Sequence, residues 1–130
     1  MTKTIINPWE WQDNLGYSQA IEVKKAEGTL YCSGQASMSA EGQPVGVTMR
    51  EQIRQSLDNL HKVITQAGYH PANIIRLNYY TTSIPSFFEA YDEAMSWLQP
   101  YNCRPASTLV QVGALAFPEL TIEIEATVVK

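Results

Sequence analysis

At 130 residues the chain has the length of a single domain, spanning 1–130, and can bury roughly two-thirds of its unfolded surface around one core. Its charged fraction, 17%, lies below the roughly 25% usual for soluble domains, a sign of surface covered by a partner subunit. A formal net charge of −4 without a run of like charges speaks against a nucleic-acid backbone or an anionic membrane surface as partner.

Residues 1–14 read as a lead-in. It has no apolar core of signal-peptide length, and nothing in the chain approaches the ~20 apolar residues of a membrane helix, so a cytoplasmic protein is expected. Trp9 and Trp11 either line a ligand cleft or, more commonly for such a pair, pin the segment to the body of the fold. Residues 17–24 alternate as a strand, and Gly28 turns them into a second strand at 29–35, so the two read as a hairpin. Cys32 and Cys103 form neither a CxxC pair nor a ligand cluster and are expected as free thiols of a reducing compartment.

Thr48 and Glu51 have the spacing of a capping box and start a helix. Ile53, Leu57, Leu60 and Ile64 give it one apolar stripe, and Gly68 stops it. Residues 73–82, rich in Ile, Leu, Tyr and Thr, form the next strand. Pro85, Ser86 and Glu89 open a second helix with Phe88, Tyr91, Met95 and Leu98 as its apolar positions and Pro100 as its end. Two more strands follow, at 107–114 and 120–129.

The order is ββαβαββ, an α+β domain. Helical crossovers between parallel strands are right-handed, so both helices are expected on one face of a mixed sheet. The opposite face then carries Thr121, Glu123, Glu125 and Thr127, while Ile122, Ile124 and Ala126 point to the core. A sheet with one uncovered face closes against copies of itself.

There is no glycine-rich phosphate loop, no GxSxG elbow and no histidine pair at ligand spacing, so neither a metal nor a cofactor is expected. His61 and His70 read as structural or surface residues. Ser33-Gly34-Gln35 has two open readings: a strand end where glycine lets the chain turn, or a glycine admitting a ligand close to the backbone. Glu123, flanked by Ile122 and Ile124, is the sharper candidate, because a carboxylate in an apolar strand calls for a partner or a use. It suits a general base that holds a water, whereas Glu125 suits a solvated face.

Four stretches taken together, GYSQAIEV from Gly16, LYCSGQ from Leu30, QSLDNL from Gln55 and TIEIEA from Thr121, resemble the RidA/YjgF family of reactive intermediate deaminases. The resemblance runs in order along nearly the whole chain. It implies a chorismate-mutase-like fold, a homotrimer with clefts between subunits, and hydrolysis of imines and enamines to a keto acid and ammonia without a cofactor. The family's cleft tyrosine falls on Tyr17, its serine and glycine on Ser33 and Gly34, and its water-positioning glutamate on Glu123.

One position departs from the pattern. The family arginine that grips a substrate carboxylate is replaced by Ser107, after Pro105 and Ala106. Arg104 lies three residues earlier, on the opposite side of an extended chain and roughly 10 Å along it. Phe88 stands where many relatives carry a polar residue and makes that wall more apolar. The expectation is a small-metabolite hydrolase of C=N bonds with altered preference, in which Glu123 directs water and Tyr17, Ser33, Gly34, Ser107 and Phe88 hold substrate. The alternative is a non-catalytic small-ligand-binding or protective trimer. Endoribonuclease activity is disfavoured by the acidic balance and the absence of a basic, aromatic-interleaved patch.

Overall fold

A computed structural model describes all residues, 1–130. The strands are β1 (Thr2–Ile6), β2 (Ala20–Lys24), β3 (Thr29–Ala36), β4 (Ile74–Thr81), β5 (Ala106–Gln111) and β6 (Ile122–Val129). Helix α1 (Met49–Gln66) joins β3 to β4, and α2 (Ile84–Leu98) joins β4 to β5. The main sheet has the order β3-β6-β4-β5, with β4 and β5 parallel and β6 antiparallel to both β3 and β4. No helix is long and apolar enough to cross a membrane.

Helix α1 follows from local rules. The Thr48 side chain accepts from the Glu51 N–H, and the Glu51 carboxylate accepts from the Val47 N–H. The first satisfies one of the donors a helix start leaves open, and the second ties down the residue before the cap. At the other end, Gly68 takes a left-handed φ of 79°. The Gly68 and Tyr69 N–H groups return to Thr65 and Ile64, a Schellman close. Ile53, Leu57, Leu60 and Ile64 are all fully buried, each stabilising the fold by roughly 1.5–3 kcal/mol.

These side chains meet Leu77 and Tyr79 of β4 and Ile122, Ile124, Ala126 and Val128 of β6 in one core beneath both helices. Both helices therefore cover one face of the sheet, as expected. On the outer surface Arg50 grips Asp92 with two 2.8 Å hydrogen bonds, and Arg54 reaches Glu93 at 2.7 Å, so charged pairs tie α1 to α2.

Three details differ from the sequence reading. First, residues 17–24 and 29–35 make no hairpin: β2 pairs with β1, a strand formed within the expected lead-in, while β3 pairs with β6. Burial decides this, because β3 has Cys32 and Ala36 to bury whereas β1 and β2 have no buried residue. Second, the buried stripe of α2 is Phe87, Ala90, Ala94 and Leu98; Phe88 is half exposed and Tyr91 and Met95 are only partly buried. This helix is apolar around much of its circumference, and its alanines let it approach the core closely, leaving the larger side chains at the flank. Third, Trp9 and Trp11 do not pin the N-terminal segment, since they remain 49% and 63% exposed.

Candidate functional site

Ser18 places Tyr17. Its N–H donates to the Pro105 carbonyl at 3.0 Å and its hydroxyl donates to the Arg104 carbonyl, laying the N-terminal segment along the start of β5. The Tyr91 hydroxyl of α2 donates to the Leu15 carbonyl and closes the other side. Between this segment, the β5 edge and α2 lies a cavity of about 160 Å³. Leu15 and Tyr17 form one wall, Ser107 and Leu109 of β5 another, and Tyr79 of β4 with Phe87, Phe88 and Tyr91 of α2 the rest. Tyr17, Phe88 and Ser107, three of the expected ligand-holding residues, thus come together.

The cavity is uncharged. Burial pushes Tyr91 up to about 12 and raises Tyr79 well above the usual tyrosine value, so both stay protonated phenols at neutral pH. The Tyr79 hydroxyl is buried without a hydrogen-bond partner. Ser107 donates its hydroxyl to the Leu77 carbonyl at 2.6 Å. Arg104 does not line this cavity: it is half exposed, and its guanidinium lies 3.6 Å from Asp13.

The remaining expected residues form a second group. Between Cys32 and Gln35 the pairing of β3 with β6 shifts register, so Ser33-Gly34 makes a bulge and the strand continues to Ala36. Gly34 therefore does not end the strand; what comes close to it is the Glu123 side chain of β6. A Cβ at Gly34 would lie 2.7 Å from Cδ and 2.8 Å from Oε1 of Glu123. Ser33 is exposed beside it.

Glu123 and Glu125 share the uncovered face but differ in surroundings. Glu125 accepts hydrogen bonds from the Tyr80 hydroxyl and, at 3.1 Å, from Asn78 Nδ2. These donors, Tyr80 first, hold its carboxyl below the usual glutamate range. It is thus an anchored carboxylate rather than the merely solvated one expected. The Glu123 side chain has no hydrogen bond or ion pair within the chain.

Sheet register sets the two groups apart. Ser107 pairs with Leu77 and Leu109 with Tyr79, both facing the helices, while Glu123 pairs with Tyr80 on the other side. One chain therefore does not bring Glu123 to Tyr17, Ser107 and Phe88. Sequence reasoning missed Leu15, Tyr79, Phe87, Tyr91 and Leu109 as walls of the cavity. Tyr79 and Leu109 carried a signal, since each follows a core or cavity residue by two along its strand.

The sequence and its fold have counterparts among known proteins. Residues 12–130 match the family model described as Endoribonuclease L-PSP. The chain belongs to this family, the RidA/YjgF family. A Rid-family protein of Yersinia pestis, YyfB, superposes with a TM-score of 0.88 at 33% identity, covering 100% of both chains. The expected α+β architecture, two helices over a mixed sheet, is thus that of RidA/YjgF proteins. The mitochondrial protein mmf1 of Schizosaccharomyces pombe is 33% identical over 124 residues, 95% of this chain and 73% of that protein. The 2-iminobutanoate/2-iminopropanoate deaminase of Bos taurus is 32% identical over 115 residues, 88% of this chain and 80% of the bovine one.

Proposed function

We propose that this RidA/YjgF protein hydrolyses a C=N bond in a small metabolite, with Glu123 directing the attacking water. One observation carries the reading: Glu123 is held against a residue without a side chain, Gly34, and left unpaired, while Glu125 two residues on is engaged by two donors. The likeness to the bovine deaminase gives the reaction class.

In the proposed step the Glu123 carboxylate takes a proton from water as its oxygen bonds to the imine carbon, and the C=N electron pair moves to nitrogen. Glu123 returns that proton to the nitrogen to give a carbinolamine, and transfer of the remaining hydroxyl proton to the amine as the carbonyl forms breaks the C–N bond and releases ammonia. Purified protein is expected to release ammonia from at least one member of an imine and enamine panel, and Glu123→Ala to abolish it. Turnover unchanged by that substitution sinks the assignment.

The reading includes a homotrimer with the site between subunits. A site that uses Glu123 together with Tyr17 and Ser107 needs a second copy, because one sheet separates them. Tyr31, 80% exposed on the strand that carries Gly34, suits burial by such a copy. Light scattering is expected to give the mass of three chains; a monomer at assay concentration refutes this part. We place the protein in the cytoplasm, which two buried free thiols suit; recovery in an organelle fraction argues against it.

The second reading, a ligand-binding trimer without turnover, is favoured by the absence of a cation from the cavity where the family arginine is Ser107. It predicts saturable ligand binding with no product from any panel member.

A further inference from the structure

We infer that the cavity between the N-terminal segment, β5 and α2 is a ring site, receiving the uncharged six-membered aromatic ring of a small ligand. Its size fits: an apolar cavity of about 150 Å³ admits benzene, and this one measures about 160 Å³. Its walls are largely rings already set edge to face. Phe88 meets Tyr91 edge to face at 6.1 Å and 80°, and a ligand ring beside them can extend the same arrangement.

Charge selection follows from what the walls lack. Within one chain no acidic, basic or histidine side chain lines the cavity, and a Glu123 brought by a second copy adds only negative charge, so a carboxylate entering it loses water without gaining a countercharge. At least one acceptor on the ligand is provided for. Ser107 has its proton engaged by Leu77, but the Tyr17 hydroxyl makes no hydrogen bond within the chain and is free to donate. Beyond Tyr17 the aromatic surface continues, with the Trp11 ring edge-on to it at 6.4 Å and Trp9 stacked on Trp11 within 8° of parallel. Both indoles are about half exposed or more, a platform for the part of a ligand that projects from the mouth.

The ligand class is a neutral aryl compound with at least one hydrogen-bond acceptor, such as an aryl ketone or aryl imine. That it is the substrate's own ring rests on the hydrolase reading above; that it binds does not. The test titrates the full chain calorimetrically with acetophenone, with benzoate, which has the ring and a charge, and with butanone, which has the carbonyl and no ring. Saturable acetophenone binding is expected, with benzoate and butanone weaker by roughly tenfold or more.

Ser107→Phe fills the cavity and is expected to weaken acetophenone by roughly tenfold or more. Phe88→Ala, at a half-exposed position outside the core, is expected to weaken it severalfold and serves if the first variant does not fold. Benzoate or butanone binding as tightly as acetophenone overturns the ring site, as does acetophenone binding unmoved by Phe88→Ala. Glu123→Ala separates the two proposals. Acetophenone binding retained with ammonia release lost is expected; binding lost overturns the ring site, and ammonia release retained overturns the hydrolase reading alone.

Discussion

Gly34 on β3 and Glu123 on β6 divide one volume between them: a methyl group on the glycine would stand 2.7 Å from the glutamate carboxyl carbon. The atoms it meets are Cγ, Cδ and Oε1 of a flexible side chain, so the carboxylate can swing away while the strands stay in place. Gly34→Ala is expected to leave the protein folded, with a stability loss of about 1–3 kcal/mol. Ammonia release should nevertheless fall by about a hundredfold, because the carboxylate is displaced by an ångström or more. Paired denaturant melts and turnover assays check this. Full turnover in the alanine variant contradicts the positioning role given to Gly34.

Gln52 is a residue whose importance no sequence pattern announced. It is 1% exposed on α1, donates from Nε2 to the Glu119 carbonyl at 2.8 Å and, at 3.3 Å, to that of Gly46. Its Oε1 accepts from the Thr121 N–H at 2.8 Å and from the Thr121 hydroxyl at 3.0 Å. These bonds fix the chain two residues before Glu123. Gln52→Ala leaves several buried groups without partners and is expected to cost roughly 2–4 kcal/mol, measured by urea unfolding. Turnover per folded molecule should fall as well, since the start of β6 loses its tether.

Acid sensitivity should pass through Glu125. Its carboxyl is held below the ordinary value by the Tyr80 and Asn78 donors, so the folded state binds its proton less readily than the unfolded chain. Its contribution to stability is therefore complete above the unfolded glutamate value, about 4.3, and is lost as pH falls through the lower folded value. Asp92 and Glu93, depressed by Arg50 and Arg54, lose theirs in the same direction. Glu125→Gln should melt below the wild type at pH 7 and converge with it toward pH ~3. Parallel curves across that range refute the assignment. The Glu125 site is partly exposed, so the gap should be modest.

Ser107→Arg places a cation in a cavity that has none. A charge-assisted hydrogen bond is worth about 1.5–3 kcal/mol, so hydrolysis of an α-imino acid such as 2-iminobutanoate should rise roughly ten- to a hundredfold in kcat/KM. If it does not rise in a folded variant, the absent arginine is not what sets substrate preference. The arginine would also intrude on the ring site, so acetophenone affinity should drop in the same variant.

Some of this was fixed by neighbours along the chain. The capping pair Thr48 and Glu51, the stripe from Ile53 to Ile64 and the Gly68 close are read at spacings of three and four, and all of α1 was legible from them. The alternation of β6 likewise told which of its side chains face the core, because a strand assigns faces by parity alone. The resemblance in order of four short stretches was enough for family and fold.

Other features depended on which distant segments become neighbours. β2 was legible as a strand, but its partner was not: the segment that forms β1 reads as a lead-in, and only the burial of Cys32 and Ala36 assigns β3 to the main sheet and leaves β2 to pair with β1. The face of α2 was misread because its apolar arc is wide, and close packing against the core selected Ala90 and Ala94 over larger side chains. The tertiary structure alone separated Glu123 from Ser107. Parity alone put Glu123 on the uncovered face of β6, but the face that Ser107 takes on β5 depends on strand register and sheet order, which no local pattern supplies.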